Sequence, residues 1–133
     1  METVRLGKSG LEISAVVLGM MSYGDPERGN HEWTLDTDEA RPLVRRAFEA
    51  GITTFDTANA YSAGTSEEIT GVLLRELTSR ENVQIATKVF SRQRPGANGA
   101  GLSRAAIMHE IDASLRRLAR TTWTSTRSTA STR

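Results

Sequence analysis

The apolar residues of this chain follow two spacings, one typical of strands and one typical of helices. Residues 15–19 form a continuous apolar run bounded by turn-prone residues, which is the pattern of a strand buried on both faces. Residues 52–58 and 83–89 are predicted as two further strands because β-branched and aromatic residues are frequent there. Short extended segments flank the glycine-containing residues 7–10, so a hairpin is predicted to open the chain.

Three helices are predicted between and after these strands. Residues 36–39 and 65–68 each match a capping box, and Ser103 is placed to cap the third helix. Gly51 suits the end of the first helix. Apolar residues recur at spacings of three and four in each helix: Ala40, Leu43, Val44, Ala47 and Phe48, then Ile69, Val72, Leu73 and Leu77, then Ile107, Ile111, Leu115 and Leu118.

Strands that alternate with helices predict an α/β fold with parallel strands joined by right-handed crossovers. Two architectures fit this pattern, an open doubly wound sheet and an eightfold barrel. A dinucleotide-binding sheet would carry G-x-G-x-x-G after its first strand, and residues 19–24 do not supply it. We therefore expect part of a (β/α)8 TIM barrel, with an N-terminal hairpin and about three βα units.

Composition narrows the functional classes. The 133 residues include 17 basic and 16 acidic ones, scattered without a basic stripe, so nucleic-acid binding is not expected. No apolar run reaches the ~20 residues of a membrane span, and no secretory leader is seen, so we expect a soluble cytoplasmic protein. The absence of cysteine excludes thiol chemistry, and with two histidines no multi-histidine metal site is expected.

Three polar residues lie at or just beyond the carboxyl ends of predicted strands, where parallel α/β folds build their sites. Taken singly, Asp56 could cap a turn, Tyr61 could be a loop aromatic and Lys88 could lie on a solvated rim. Taken together they are typical of a general-acid site. An ammonium beside a phenol favours the phenolate, and a carboxylate keeps that ammonium charged and oriented.

These residues stand in motifs that strongly resemble the aldo-keto reductases. The main matches are residues 55–61 (FDTANAY) with Gly64 and residues 66–68 behind them, and residues 86–88 (ATK) one strand later. Further matches are residues 18–24, 47–51 and 115–118, so the resemblance covers about residues 4–118. That family folds as a TIM barrel with a hairpin across its bottom and reduces aldehydes and ketones with NADPH.

The resemblance implies roles for individual residues. Tyr61 would be the general acid that protonates the carbonyl oxygen, Lys88 would favour loss of that proton, and Asp56 would hold Lys88. Tyr23 and Trp33, in the loop after the first parallel strand, would wall an apolar substrate pocket or simply pack within that loop. Four residues would contact or lie close to the nicotinamide end of the cofactor: Gly19, Met20, Met21 and Asp56.

The tail, residues 119–133, reads ARTTWTSTRSTASTR and has no apolar periodicity, which by itself predicts a disordered linker. A second interpretation is that it is read out of frame, because threonine codons (ACN) become Asp, Tyr, Asn or His codons (NAC) after a slip of one base. Adding one G after the Leu118 codon allows the translation GTDYVDLYQIHRFDP. Its alternation of polar and apolar residues predicts a half-buried strand.

The out-of-frame interpretation also accounts for a missing catalytic group. The family carries a histidine at the end of its fourth strand, after Gln-Ile or Gln-Leu. This chain has Thr129 at that place, and the restored translation puts Gln-Ile-His there. His31 in the first loop and His109 within the third helix are expected to be solvated or packed histidines.

We therefore expect residues 1–118 to be the N-terminal part of an aldo-keto reductase barrel and residues 119–133 to be a frameshifted, disordered tail. Such a fragment should lack tight NADPH binding and reductase activity, and exposed strand edges should make it unstable and prone to aggregate. Two alternatives remain open. The parent could resemble the potassium-channel β-subunits of the same family, or the chain could be a small stand-alone interaction protein with its tail as an arm.

Overall fold

The computed structural model describes residues 1–29 and 31–119, together with the backbone of Ser125–Ser128. The predicted order of hairpin, strand, helix, strand, helix, strand and helix is confirmed. The hairpin consists of β1 (Thr3–Arg5) and β2 (Glu12–Ser14). The remaining elements are β3 (Val17–Gly19), α1 (Thr37–Glu49), β4 (Thr54–Asp56), α2 (Thr65–Leu77), β5 (Gln84–Val89), α3 (Arg104–Leu118) and β6 (Ser125–Ser128).

The strands β3, β4, β5 and β6 form one sheet in that order, and every neighbouring pair is parallel. Helices connect successive parallel strands, as crossovers between parallel neighbours require. In the described part of the chain β3 and β6 lie at the two edges, so the sheet is open and does not close into a barrel. The predicted α/β class, with its opening hairpin and three βα units, is confirmed.

The tail differs from the prediction over four residues. Ser125–Ser128 form β6, which pairs in parallel with residues 86–89 of β5, although the composition of the tail predicts disorder. Tertiary context outweighs composition here, because β6 pairs the backbone groups along the open edge of β5 and threonine favours extended backbone. The rest of the predicted tail, residues 120–124 and 129–133, lies outside the described residues.

Two of the three predicted helix starts are confirmed. Asp36 and Glu39 form the reciprocal capping box of α1, and the Ser103 hydroxyl accepts a backbone hydrogen bond at the start of α3. The capping box predicted at residues 65–68 is wrong. There the cap is Gly64, with a φ of 91°, and Thr65 is already helical, because a left-handed turn leads directly into α2.

The core lies between the parallel sheet and the helices. Its buried apolar side chains come from strands, helices and the loop after β3: Met20, Tyr23, Ala40, Val44, Phe55, Ile69, Leu73, Leu74, Val83, Ile85 and Leu118. At Gly71 the two helices α2 and α3 approach backbone to backbone, since a Cβ there would lie 2.6 Å from the Leu118 carbonyl oxygen. Among the described residues no helix is long and apolar enough to cross a bilayer.

Candidate active site

The carboxyl ends of three parallel strands bring the predicted polar residues to one edge of the sheet. Gly19 is the last residue of β3, Asp56 is the last residue of β4, and Lys88 is the second-last residue of β5. Gly19 and Asp56 are direct partners in the β3–β4 register. The strand order therefore places side chains from distant parts of the sequence within reach of one another.

The Lys88 ammonium makes one ion pair and two hydrogen bonds. Its Nζ lies 2.9 Å from Asp56 Oδ2, donates to the Tyr61 hydroxyl oxygen at 2.9 Å, and donates to the Thr57 carbonyl oxygen at 2.8 Å. The residue is only 8 % exposed. A buried ammonium is costly unless it is paired and hydrogen-bonded, and these partners meet that requirement. The structure thus brings Asp56, Tyr61 and Lys88 into one cluster.

Tyr61 stands at the start of a turn with unusual backbone. Ser62 and Ala63 have φ values of 45° and 52°, and Gly64 follows with 91°, so three consecutive residues are left-handed. Left-handed backbone costs a non-glycine residue roughly 1–2 kcal/mol, and such strain often marks a functional position. The turn reverses the chain between β4 and α2 and presents the Tyr61 hydroxyl to Lys88.

The loop after β3 holds this turn in place. A Cβ at Gly24 would lie 2.5 Å from the Ser62 Cβ, and a Cβ at Gly29 would lie 2.9 Å from the Ser62 Cα. Thr65 strengthens the contact, because its Oγ1 accepts from the Asp25 amide at 2.8 Å and donates to the Ser62 carbonyl oxygen at 2.8 Å. Glycine at positions 24 and 29 is therefore a packing requirement of the turn that carries Tyr61.

A buried carboxylate ties the strand of Lys88 to two helices. Glu67, in α2, is fully buried and accepts from the Thr87 hydroxyl at 2.6 Å and from Arg117 Nε at 2.6 Å. Arg117 also donates to the Ser114 hydroxyl at 3.3 Å. Because Thr87 immediately precedes Lys88, this network holds the backbone next to Lys88 in place.

A second buried carboxylate ties the segment before Tyr61 to α3. Glu110 accepts from Asn59 Nδ2 at 3.0 Å, and Asn59 is only 1 % exposed. At the surface end of this arrangement His109 Nδ1 lies 3.2 Å from the other Glu110 oxygen. The residues on both sides of the Lys88–Tyr61 contact are therefore anchored to the same helix, α3.

The predicted cofactor residues lie in different environments. A Cβ at Gly19 would meet nothing within 4 Å, and Met21 is 42 % exposed, so both border open space at the sheet edge. The Met20 side chain is fully buried in the core, and its amide and carbonyl are bonded to Asp56 and Ser66. Any contact of Met20 with a cofactor is thus limited to its backbone.

The two carboxylate oxygens of Asp56 have different environments. Its Oδ2 pairs with Lys88, while its Oδ1 is buried and accepts no hydrogen bond from the described residues. A buried acceptor without a donor is rare in folded proteins and is suited to a donor that arrives with a ligand. With the open space above Gly19, this edge fits the hydroxyl-bearing part of a nucleotide cofactor.

The two predicted wall residues differ in position. Tyr23 packs into the core at 8 % exposure, as the loop-packing alternative expects, and burial raises the pKa of its phenol. Trp33 is 54 % exposed and stacks on His31, with ring centroids 4.7 Å apart. His31 in turn lines a cavity of about 50 Å³ with Met21, Ala60, Tyr61 and Ser62. His31, expected to be a solvated or packed residue, therefore lies beside Tyr61.

Sequence reasoning missed the two carboxylates that support the site. A signal for Glu110 exists, because Glu110 and Ser114 occupy inward positions between the apolar residues Ile107 and Leu118 of α3. A polar residue on an apolar helix face needs a buried partner. Glu67 lies within the matched residues 66–68, but nothing in the sequence indicates its burial, since its partner Arg117 is 50 residues away.

Comparison with known proteins decides the family. The family model described as "Aldo/keto reductase family" matches residues 15–123. The chain belongs to this family. It is 31 % identical to an aldo-keto reductase from Bacillus halodurans solved in its holo form, with a TM-score of 0.79 over 96 % of this chain and 40 % of the other. Such solved relatives are TIM barrels, so the predicted partial barrel is confirmed as the fold class.

Relatives of this aldo-keto reductase chain have more than one description. It is 42 % identical to a versiconal hemiacetal acetate reductase of Aspergillus parasiticus, over 89 % of this chain and 39 % of the relative. It is 38 % identical to a probable voltage-gated potassium channel subunit beta of Arabidopsis thaliana, over 89 % of this chain and 34 % of the relative. The chain thus spans little more than a third of the length of these relatives.

Proposed function

We propose that the whole protein is a reductase that converts aldehydes or ketones to alcohols with NAD(P)H, and that Tyr61 is its general acid. One observation carries this proposal. Lys88 Nζ lies 2.9 Å from both the Tyr61 hydroxyl and Asp56 Oδ2, and Lys88 is only 8 % exposed. The arrangement suits a proton donor whose charged form is stabilised from one side.

The chain's own residues account for the proton transfer. The Tyr61 hydroxyl donates its proton to the substrate oxygen, and the Lys88 ammonium stabilises the phenolate that remains. Asp56 balances the charge of Lys88 and keeps it oriented. When bound, the nicotinamide supplies the hydride that reduces the carbonyl carbon. Hydride and proton together convert the carbonyl to an alcohol.

The cofactor would lie at the open edge formed by β3 and β4. Gly19 and Met21 would border it, Met20 would contribute backbone only, and Asp56 Oδ1 would accept a hydroxyl hydrogen bond. The choice of NADPH over NADH comes from the family resemblance. In this way the same carboxylate would hold the cofactor and orient the lysine of the acid.

We also propose that the 133-residue chain has no reductase activity, because a frameshift after Leu118 has replaced the fourth-strand histidine. In support, β6 lies where the restored translation reads Leu-Tyr-Gln-Ile, directly before its histidine. Sequencing the gene across the Leu118 codon tests the frameshift. A reading frame of family length restored by one added G is the expected result, and stop codons directly after that insertion would contradict it.

A channel-regulating function is the second candidate, and the Arabidopsis relative favours it. The two functions differ in what accompanies the protein and in what it turns over. A frame-restored protein that oxidises NADPH in the presence of 4-nitrobenzaldehyde, and purifies without a channel, supports the reductase. Co-purification with a potassium channel, without turnover of any aldehyde, would favour the regulatory function.

A further inference from the structure

A groove beside the candidate acid carries two arginines. The loop after β3 and the loop after β5 border a hollow of about 370 Å³, and its lining includes Arg28, Ala60, Ala63, Arg92 and Gln93. None of the residues that line it is acidic. Its charge therefore favours an anion.

Both guanidinium groups have N–H donors that are not used within the described chain. Arg92 Nη1 donates to the carbonyl oxygens of Gly96 at 2.9 Å and Arg94 at 3.3 Å, which fixes the side chain within its loop. Arg28 Nη1 contacts Glu68 at 3.4 Å. Within the described chain the other guanidinium nitrogens of both residues bond to no protein atom, and a guanidinium offers five N–H groups in all.

The groove adjoins the small cavity at Tyr61. Ala60 lines both hollows. A ligand with its carbonyl group at the Tyr61 hydroxyl could therefore extend past Ala60 towards the arginines. We propose that the substrate is a carbonyl compound that also carries a carboxylate, held by Arg28 and Arg92; the assignment of the carbonyl end rests on the proposed function.

A cofactor phosphate is the other source of an anion, and the lining residues favour the substrate. Gly19, Met21 and Asp56, which border the predicted cofactor edge, do not line this groove. Ala60 and Ala63, on either side of Tyr61, do. The groove therefore lies against the turn that carries Tyr61, and none of the predicted cofactor residues lines it.

Binding to the frame-restored protein tests the proposal without turnover. At micromolar protein concentration, ligand-observed NMR would compare 4-formylbenzoate with its uncharged methyl ester. We expect the acid to bind about tenfold more tightly, since each charge-assisted hydrogen bond favours the ionised ligand. Arg28→Gln and Arg92→Gln should each weaken binding of the acid roughly threefold and leave binding of the ester unchanged. Both side chains are exposed, so these variants should fold, and Arg5→Gln is the matched control.

Each outcome bears on the proposal. An advantage lost in the Arg28→Gln, Arg92→Gln double variant supports the carboxylate site. Equal binding of acid and ester, binding of neither up to millimolar concentration, or an advantage that persists in the double variant overturns it. If the double variant weakens the binding of NADPH and not that of 4-formylbenzoate, the groove binds the cofactor, which overturns the proposal. Because no step requires reduction, loss of the reductase proposal would leave a positive binding result standing as an anion site.

Discussion

The ammonium of Lys88 donates a 2.9 Å hydrogen bond to the hydroxyl of Tyr61, across 27 residues of sequence. Two strands and a left-handed turn are needed to make this contact. Lys88 lies near the end of β5 at the carboxyl edge of the sheet, and the turn after β4 brings the tyrosine to it. The proposed acid chemistry of Tyr61 depends on this pair.

Lys88→Met should lower the free energy of unfolding by about 1–3 kcal/mol, because it leaves buried acceptors without a donor. Urea unfolding followed by circular dichroism measures the change. The chain has one other lysine, Lys8, which is exposed, and Lys8→Met should change stability by less than about 0.5 kcal/mol. Equal effects of the two substitutions would show that the Lys88 contacts do not stabilise the fold.

Gly24→Ala should destabilise the chain by about 1–3 kcal/mol, because the added methyl group would overlap the Ser62 side chain. The same unfolding experiment applies. Gly10 has open space around its Cβ position and a permitted φ, so Gly10→Ala is the matched control and should be nearly neutral. Adding Ser62→Gly should restore much of the stability lost in Gly24→Ala, and no recovery would refute the packing argument.

Ala63→Gly should raise stability by about 0.5–1 kcal/mol, because Ala63 is exposed and has a φ of 52° that glycine adopts without strain. Ala97 is also exposed but has no positive φ, so Ala97→Gly should be neutral or slightly destabilising. Thermal or urea unfolding of the two variants gives the comparison. A loss of stability at both positions would mean that the turn is not strained.

Burial raises the pKa of the Tyr23 phenol above its ordinary value of about 10. The folded state therefore holds this proton more tightly than the unfolded state does. Its stabilising contribution is complete below pH ~10 and is lost as the pH rises through the folded pKa. Unfolding measured between pH 8 and 11.5 should show this decline, and Tyr23→Phe should remove part of it. An unchanged pH profile in Tyr23→Phe would contradict the assignment.

Local patterns predicted the elements well because their signals are local. The apolar runs of β3 and β5 and the capping box at Asp36 are each readable within a few residues. The inward packing of Met20 could not be predicted, and that of Tyr23 was one of two alternatives, since loop residues after a strand give no period that shows which side chains re-enter the core. The proximity of polar residues at strand ends, by contrast, could be predicted, because the carboxyl ends of parallel strands meet at one edge of the sheet.

Partners distant in sequence set the rest of the site. Glu67 is fully buried because Arg117 and Thr87 reach it from α3 and β5, and neither is recognisable as a partner before the helices are packed. The strand at Ser125–Ser128 is a similar case, because an open neighbouring edge and not composition determines its conformation. Such features depend on tertiary contacts that no window of sequence contains.

The most direct test of the central claim is the reduction of 4-nitrobenzaldehyde with NADPH by the frame-restored protein and its Tyr61→Phe variant. Phenylalanine keeps the ring on Lys88 and removes only the proton donor. General acid catalysis contributes roughly 10²–10⁴-fold, so kcat should fall by about that factor with little change in KM. A Tyr61→Phe enzyme that retains kcat within about threefold of the unsubstituted protein would contradict the assignment of Tyr61 as the acid.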